Sequence, residues 1–275
     1  MAWALFLTTA LAVSAPRPAA SSNSELRPAA RLVFPYFDIR PGTTTILLLT
    51  NVSDQPLGAR LTFYDATCDR RGHSLALTPK DMAVIDLAKL FGGDDIGRFA
   101  QGFVDVEAGR NSLIGAAQIV NVAEDWSVVY HPAASQRLDG PDSTFERFPA
   151  HVALPSFFAP GVGERRLDGF LVLVAPNPTE PGDPLPEEAI RASIDVFSPA
   201  GPSVSLSARG HQVILPLASF SGWLPDSAPG WLEIRNQARD DQGEPVGLVG
   251  LFIQTLVAPG GGGGMAGAIR LWGWR

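Results

Sequence analysis

The side chains best suited to catalysis or metal binding are few and scattered along this chain of 275 residues. Its histidines do not recur at the three- or four-residue spacing by which a helix holds a metal ion; they are His73, His131, His151 and His211. Serine, histidine and aspartate all occur, but no serine stands in the G-x-S-x-G pattern of a nucleophile elbow. The sequence therefore predicts no catalytic residues and no metal site.

Three further features resemble ligand sites only superficially. The five glycines at 260–264 lack the Lys and the Ser or Thr that follow in a phosphate loop, so they predict a flexible hairpin tip. The acidic pairs Asp94–Asp95 and Asp240–Asp241 lack the alternating oxygen ligands of a calcium loop, which favours solvated turns. Cys68 is the only cysteine, and no base that could activate its thiol is identifiable. No cofactor is expected.

The aromatic residues support a sharper hypothesis. Trp231 falls on the charged side of an alternating segment, and so does Phe103. Trp272 and Trp274 share a face with Arg270. If these faces are exposed, the indole rings of Trp231, Trp272 and Trp274 could stack on a sugar or anchor a partner protein. The alternative is that the rings are buried between domains or close the ends of a sheet packing, as large rings often do.

A repeat predicts the strands that carry these residues. GFVDVEAG (102–109) and GWLEIRNQ (230–237) each place an aromatic residue after a glycine and then alternate apolar with polar residues, which indicates a half-buried strand. A polar turn follows in each copy, and then an apolar run centred on Gly115 or Gly250, which indicates a buried strand. The sequence therefore contains one structural unit twice. Upstream segments correspond in the same order, for example 32–37 with 153–158 and 43–51 with 169–177.

The composition favours short strands over long helices. The chain has 24 Pro and 28 Gly, which interrupt helices and suit turns. Because each copy contains about seven strand candidates, the sequence predicts an all-β protein of two tandem Greek-key β-sandwich domains of the immunoglobulin-like type. The expected organisation is a signal peptide (1–20), a flexible lead-in (21–30), a first sandwich domain (31–131), a linker (132–150) and a second sandwich domain (151–275).

The N-terminal segment predicts export. MAWALFLTTALAVSA (1–15) is apolar and places Val13 and Ala15 as in a secretory cleavage site. No Lys or Arg precedes the apolar core and Pro16 would follow the cut, so cleavage near Ala20 is an alternative. The segment is shorter than the roughly 20 apolar residues of a spanning helix, and no transmembrane segment is expected after its removal. The predicted location is the periplasm, the cell surface or the medium.

The charge of the chain bears on its partners. The net charge of −7 weighs against nucleic acid, whose phosphates are bound by clustered Lys and Arg, and no such run is present. A protein or a polysaccharide is the expected kind of partner.

Several segments carry a resemblance to a known group of proteins. FPYF, TTTILLLTNVSDQPL, FYDA, LTPKDMAVIDL and SLIGAAQIVN occur in that order, and with them the chain resembles the tandem immunoglobulin-like or fibronectin-type-III-like repeats of secreted bacterial proteins. The resemblance covers nearly the whole mature chain, implies a structural or interaction role and brings no catalytic residues. The chain is more distantly similar to periplasmic pilus chaperones. That family holds a subunit's terminal carboxylate with basic cleft residues, and no such pair can be placed here.

The sequence thus predicts an exported, non-enzymatic structural or interaction protein that acts in surface adhesion or as an envelope scaffold. Two alternatives stay open: a carbohydrate-binding module that uses exposed aromatics, and a periplasmic chaperone-like two-domain protein. A hydrolase with a loop-built site is a further possibility, and it would need a pocket that holds a base with a perturbed pKa.

Overall fold

The computed structural model of the chain describes residues 27–92, 99–138, 144–160, 166–177, 188–199, 201–225, 228–257 and 265–274. The predicted signal peptide and most of the predicted lead-in lie outside these residues. So do the acidic pair Asp94–Asp95 and the glycines at 260–264.

Described residues are mostly in strands. The first half of the chain forms β1 (Arg31–Asp38), β2 (Thr43–Asn51), β3 (Leu57–Asp65), β4 (Arg70–Leu77), β5 (Met82–Asp86), α1 (Leu87–Leu90), β6 (Gln101–Ala108), β7 (Leu113–Asn121), β8 (Trp126–Tyr130) and β9 (Ala133–Ser135). The second half forms β10 (His151–Phe158), β11 (Arg166–Val174), β12 (Ile190–Ser198), β13 (Gly201–Gly210), β14 (Gln212–Pro216), α2 (Ala218–Ser221), β15 (Pro229–Asn236), β16 (Val249–Val257), β17 (Met265–Arg270) and β18 (Trp272–Trp274). No helix among the described residues is long and apolar enough to cross a membrane.

The strands form four small antiparallel sheets, which are the blades of a four-bladed β-propeller. In order of strand pairing, blade 1 is β4-β3-β6-β1-β9, blade 2 is β5-β2-β7-β8, blade 3 is β14-β11-β16-β17 and blade 4 is β13-β12-β15-β10-β18. Most neighbouring strands within a blade are not consecutive in sequence; β6, for example, pairs with both β1 and β3. Each blade is therefore built from distant segments rather than from a simple meander.

The prediction of two tandem immunoglobulin-like β-sandwich domains is wrong, because the sheets assemble as propeller blades. Blade 3 gives the physical reason. Leu171 and Leu173 on one side of β11 belong to the core of the second half, while Val172 and Val174 on the other side pack into the core of the first half. A sheet of a two-layer sandwich buries only one face. The domain limits at 31–131 and 151–275 stay a prediction.

The two halves nevertheless repeat the same strand order and register. Blades 1 and 4 correspond strand for strand, and so do blades 2 and 3. Even an irregularity recurs, since the pairing of β1 with β6 shifts between Phe34 and Phe37 and the pairing of β10 with β15 shifts between Leu154 and Phe157. Any position on blade 1 can therefore be compared with its counterpart on blade 4.

Close packing explains the glycines that mark the sequence repeat. A Cβ atom at Gly102 would collide with the carbonyl oxygen of Tyr64 on the neighbouring strand β3. One at Gly115 would lie 2.9 Å from the ring of Phe34. Glycine is required where backbone or ring approaches this closely, so these residues position the aromatic side chains that follow or face them.

Candidate binding face

The outward side of blade 4, here called the open face, carries the candidate site. Along β15, Leu232 and Ile234 point into the core, and the alternation of a strand turns Trp231, Glu233 and Arg235 outward. The neighbouring strands add further outward residues, which are Asp195 and Phe197 of β12, Ser205 of β13, His151 of β10 and Trp272 of β18.

Two indole rings stand on the open face. Trp231 stacks on Phe197 with ring centroids 3.9 Å apart and an interplanar angle of 10°. Trp231 is 38% exposed and Trp272 is 48% exposed. Trp272 lies opposite Ala153, which lies opposite Glu233, so two strand spacings put the Trp272 and Glu233 backbones about 10 Å apart. The exposed rings therefore flank a polar centre.

The polar centre is a network of charged side chains. The Arg235 guanidinium lies 2.6 Å from a Glu233 carboxylate oxygen and 3.5 Å from one of Asp195. Asp195 also accepts a hydrogen bond of 2.6 Å from the Ser205 hydroxyl. His151 Nε2 lies 3.7 Å from Glu233. Burial and then the charge of Arg235 lower the pKa of His151, so its imidazole is mainly neutral at pH 7.

The structure brings two of the three predicted contact residues to one face. Trp231 and Trp272 are both on the open face, 41 positions apart in sequence. Trp274 belongs to the same strand as Trp272, and its backbone pairs with that of His151, but its side chain lies outside the described part. Whether these residues contact a protein or a glycan stays a prediction.

Phe103 differs from Trp231 although the two hold the same position in the repeat. Its ring is fully buried and stacks on Tyr64 with centroids 4.5 Å apart. For Phe103, the alternative that a large ring is buried therefore holds. Sequence reasoning also missed Phe197, Asp195 and Glu233, which the alternation of β12 and β15 places on the outward side but does not group with Trp272.

The remaining candidate residues are dispersed. Within the described ranges, no group of three or more His, Cys, Asp or Glu side chains could hold a metal ion. His131 Nδ1 lies 3.3 Å from the carbonyl oxygen of Gly115, as a packed histidine would. Asp240 accepts hydrogen bonds from the backbone amides of Gln242 and Glu244, so it organises a turn.

The thiol of Cys68 has low reactivity at neutral pH. Burial, followed by the charges of Asp65 and Asp69, raises the pKa of its thiol to about 12. The thiol is therefore protonated at neutral pH and is a poor nucleophile.

Comparisons with known proteins add little to this geometry. No protein-family model matches the chain, and no curated protein does so either. Among solved structures, the crystal structure of Thermotoga maritima 1070 is 16% identical, with a TM-score of 0.34 over 38% of this chain and 94% of that chain. The CupB6 tip adhesin from Pseudomonas aeruginosa is 9% identical, with a TM-score of 0.13 over 87% of this chain and 89% of that chain. Neither similarity is close enough to carry an argument.

Proposed function

We propose that this chain is an exported, non-enzymatic interaction protein and that the open face of blade 4 binds its macromolecular partner. One observation carries the proposal: Trp231, stacked on Phe197, and Trp272 are large aromatic residues exposed on the same sheet face. Tryptophan and arginine are the residues most enriched at the energetic centres of interfaces. Export rests on the apolar segment 1–15 alone.

The geometry of the open face suits binding by a preformed surface. The residues of this face belong to paired strands, so their backbone is fixed more firmly than it would be in a loop. The Trp231 ring is further fixed by its stacking on Phe197. A rigid aromatic residue loses little conformational entropy on binding, which favours affinity.

Site-specific photo-crosslinking in intact cells of the source organism tests the binding face. Photoreactive p-benzoylphenylalanine replaces Trp272 in one variant and Trp223 in a matched control. Trp223 is 54% exposed but lies outside blade 4. We expect a discrete adduct from position 272 and none from position 223. Equal adducts at both positions, or none at position 272, would contradict the proposal.

Export has its own test. A C-terminal tag allows the protein to be followed through cell fractionation and through protease treatment of intact cells. We expect the mature protein outside the cytoplasm, and shaving by protease would place it at the cell surface. Recovery of the full-length chain in the cytoplasm would refute export while leaving the binding face untouched.

A further inference from the structure

The outward side of blade 1, here called the covered face, shows how this kind of surface is occupied within the same molecule. Residues 144–148, here called the covering segment, place the rings of Phe145 and Phe148 over the Arg31 guanidinium at 5.6 and 5.7 Å. Backbone contacts hold the segment in place, since the amide of Glu146 donates to the carbonyl of Gln136. Polypeptide with aromatic side chains therefore covers part of this face.

The register identifies the matching part of the open face. Arg31 pairs with Glu107 as His151 pairs with Arg235, so the position beneath the covering segment corresponds to His151. The side chains of Arg31 and Asp105 are 1% exposed, whereas those of the matching His151 and Glu233 are 25% and 21% exposed. The two faces have the same strand order and register, and their matching side chains differ in exposure.

Three arginines and three carboxylates share the open face, and the guanidinium groups are on the whole the more exposed of these charges. The side chains of Arg191, Arg209 and Arg235 are 54%, 65% and 53% exposed. The carboxylates of Asp195 and Glu233 lie deeper, with side chains 19% and 21% exposed. Glu188 is the exposed carboxylate among the acids that pair with these arginines. A ligand that carries its own carboxylates complements this arrangement.

From these observations we propose that the open face binds an extended segment of a partner protein that carries an aromatic residue and a carboxylate. The aromatic side chain packs against the exposed indole rings of Trp231 and Trp272. On blade 1, Phe145 and Phe148 pack over the Arg31 guanidinium. The carboxylate pairs with an exposed guanidinium, of which Arg235 is the nearest to Trp231 in sequence. This inference rests on the proposed function and specifies the chemistry of its partner.

Selection from a phage library of random 12-residue peptides tests the inference with the full-length mature protein as bait. We expect enrichment of peptides that combine Phe, Tyr or Trp with Asp or Glu. For a synthetic peptide from that pool, Trp231→Ala and Trp272→Ala should each weaken binding by at least about tenfold. Arg235→Ala should reduce the salt dependence of binding, since it removes one charge contact. Trp223→Ala should change nothing, and thermal melts establish that all four variants fold.

Two outcomes would overturn the inference. One is a pool without aromatic enrichment, or with binding that does not depend on Trp231 and Trp272. The other comes from native electrophoresis through gels that contain neutral or acidic polysaccharides. Retardation by a polysaccharide that is lost in the Trp231→Ala and Trp272→Ala variants would assign the face to a glycan. That second result would contradict the peptide ligand but would still support the open face as a binding face. If no peptide and no polysaccharide binds, and position 272 gives no crosslink, both the peptide ligand and the binding face are refuted.

Discussion

The outward faces of blades 1 and 4 have the same strand order and the same register. They differ in the exposure of the side chains at matching positions. On the covered face, Tyr64 and Phe103 stack as a buried pair. On the open face, Phe197 and Trp231 occupy the matching positions and stack in the same way, but the indole is exposed to solvent. The comparison shows that an aromatic pair at this position serves equally as core or as surface.

The charged residues follow the same division. Arg31 and Asp105 form a doubly hydrogen-bonded ion pair, with Nε to Oδ1 at 3.0 Å and Nη2 to Oδ2 at 2.5 Å, and both side chains are almost fully buried. Arg235 and Glu233 approach equally closely on the open face but keep contact with water. A buried charge depends on its partner far more than an exposed one does. The two faces should therefore respond differently to matched substitutions.

The largest difference is expected for the acidic residue at the centre of each face. Asp105→Ala leaves the Arg31 guanidinium buried without its carboxylate and should lower the free energy of unfolding by about 3–5 kcal/mol. Glu233→Ala removes a solvated pair and should cost about 1 kcal/mol or less. Urea denaturation of the two variants measures both values. If Asp105→Ala does not fold, Asp105→Asn keeps the shape and should still cost more than Glu233→Gln. Equal losses would mean that the covered face is not a core.

The aromatic residue that follows the repeated glycine gives the next comparison. Phe103→Ala empties a fully buried site and should cost about 3–4 kcal/mol. Trp231→Ala loses mainly the stacking on Phe197, worth about 1 kcal/mol. The same denaturation experiment compares them. A loss for Trp231→Ala as large as that for Phe103→Ala would show that the indole is structural and would weaken its assignment to binding.

The covering segment provides a smaller effect. Phe145→Ala removes a buried ring that packs over the Arg31 and Arg137 guanidinium groups and should cost about 2–3 kcal/mol. The matched control is Phe158→Ala, because Phe158 is an exposed phenylalanine at the end of β10, and it should change stability by about 0.5 kcal/mol or less. Thermal and urea unfolding measure the pair. No difference between the two variants would show that the covering segment contributes nothing to blade 1.

Much of the local structure could be predicted from the sequence, and the assembly could not. Alternation in GFVDVEAG and GWLEIRNQ correctly predicted strands, found as β6 and β15. Period-two patterns state which side chains share a face but not what covers that face, so Phe103 and Trp231 looked alike. The run LVLV in β11 is apolar on both sides, and the structure buries both. An apolar run on both sides of one strand was therefore a sequence signal that could have indicated an assembly other than isolated sandwiches.

For the candidate site, too, local features could be predicted from the sequence and contacts between distant segments could not. The position of Trp231 on the charged side of β15 was predictable from its neighbours. Its grouping with Trp272 depends on β10 pairing with both β15 and β18, segments far apart in the chain. Pairing between distant strands is set by tertiary packing, which a single sequence does not reveal.

The smallest expected effect concerns the titration of His151 on the open face. Burial and the neighbouring Arg235 keep the pKa of this imidazole below its usual value near 6.5, against the opposing influence of Glu233 and Asp195. Arg235→Ala should therefore raise the pKa of His151, whereas Arg209→Ala, on β13, should leave it unchanged. Imidazole proton shifts followed by NMR across pH 4–8 measure the change. Because the folded pKa lies below the unfolded one, the neutral imidazole stabilises the fold above the unfolded pKa, and this stabilisation is lost as pH falls through that value towards the folded pKa. An unchanged pKa in Arg235→Ala would mean that the guanidinium does not influence His151, and His151 would then not be coupled to the charged network of Arg235, Glu233 and Asp195.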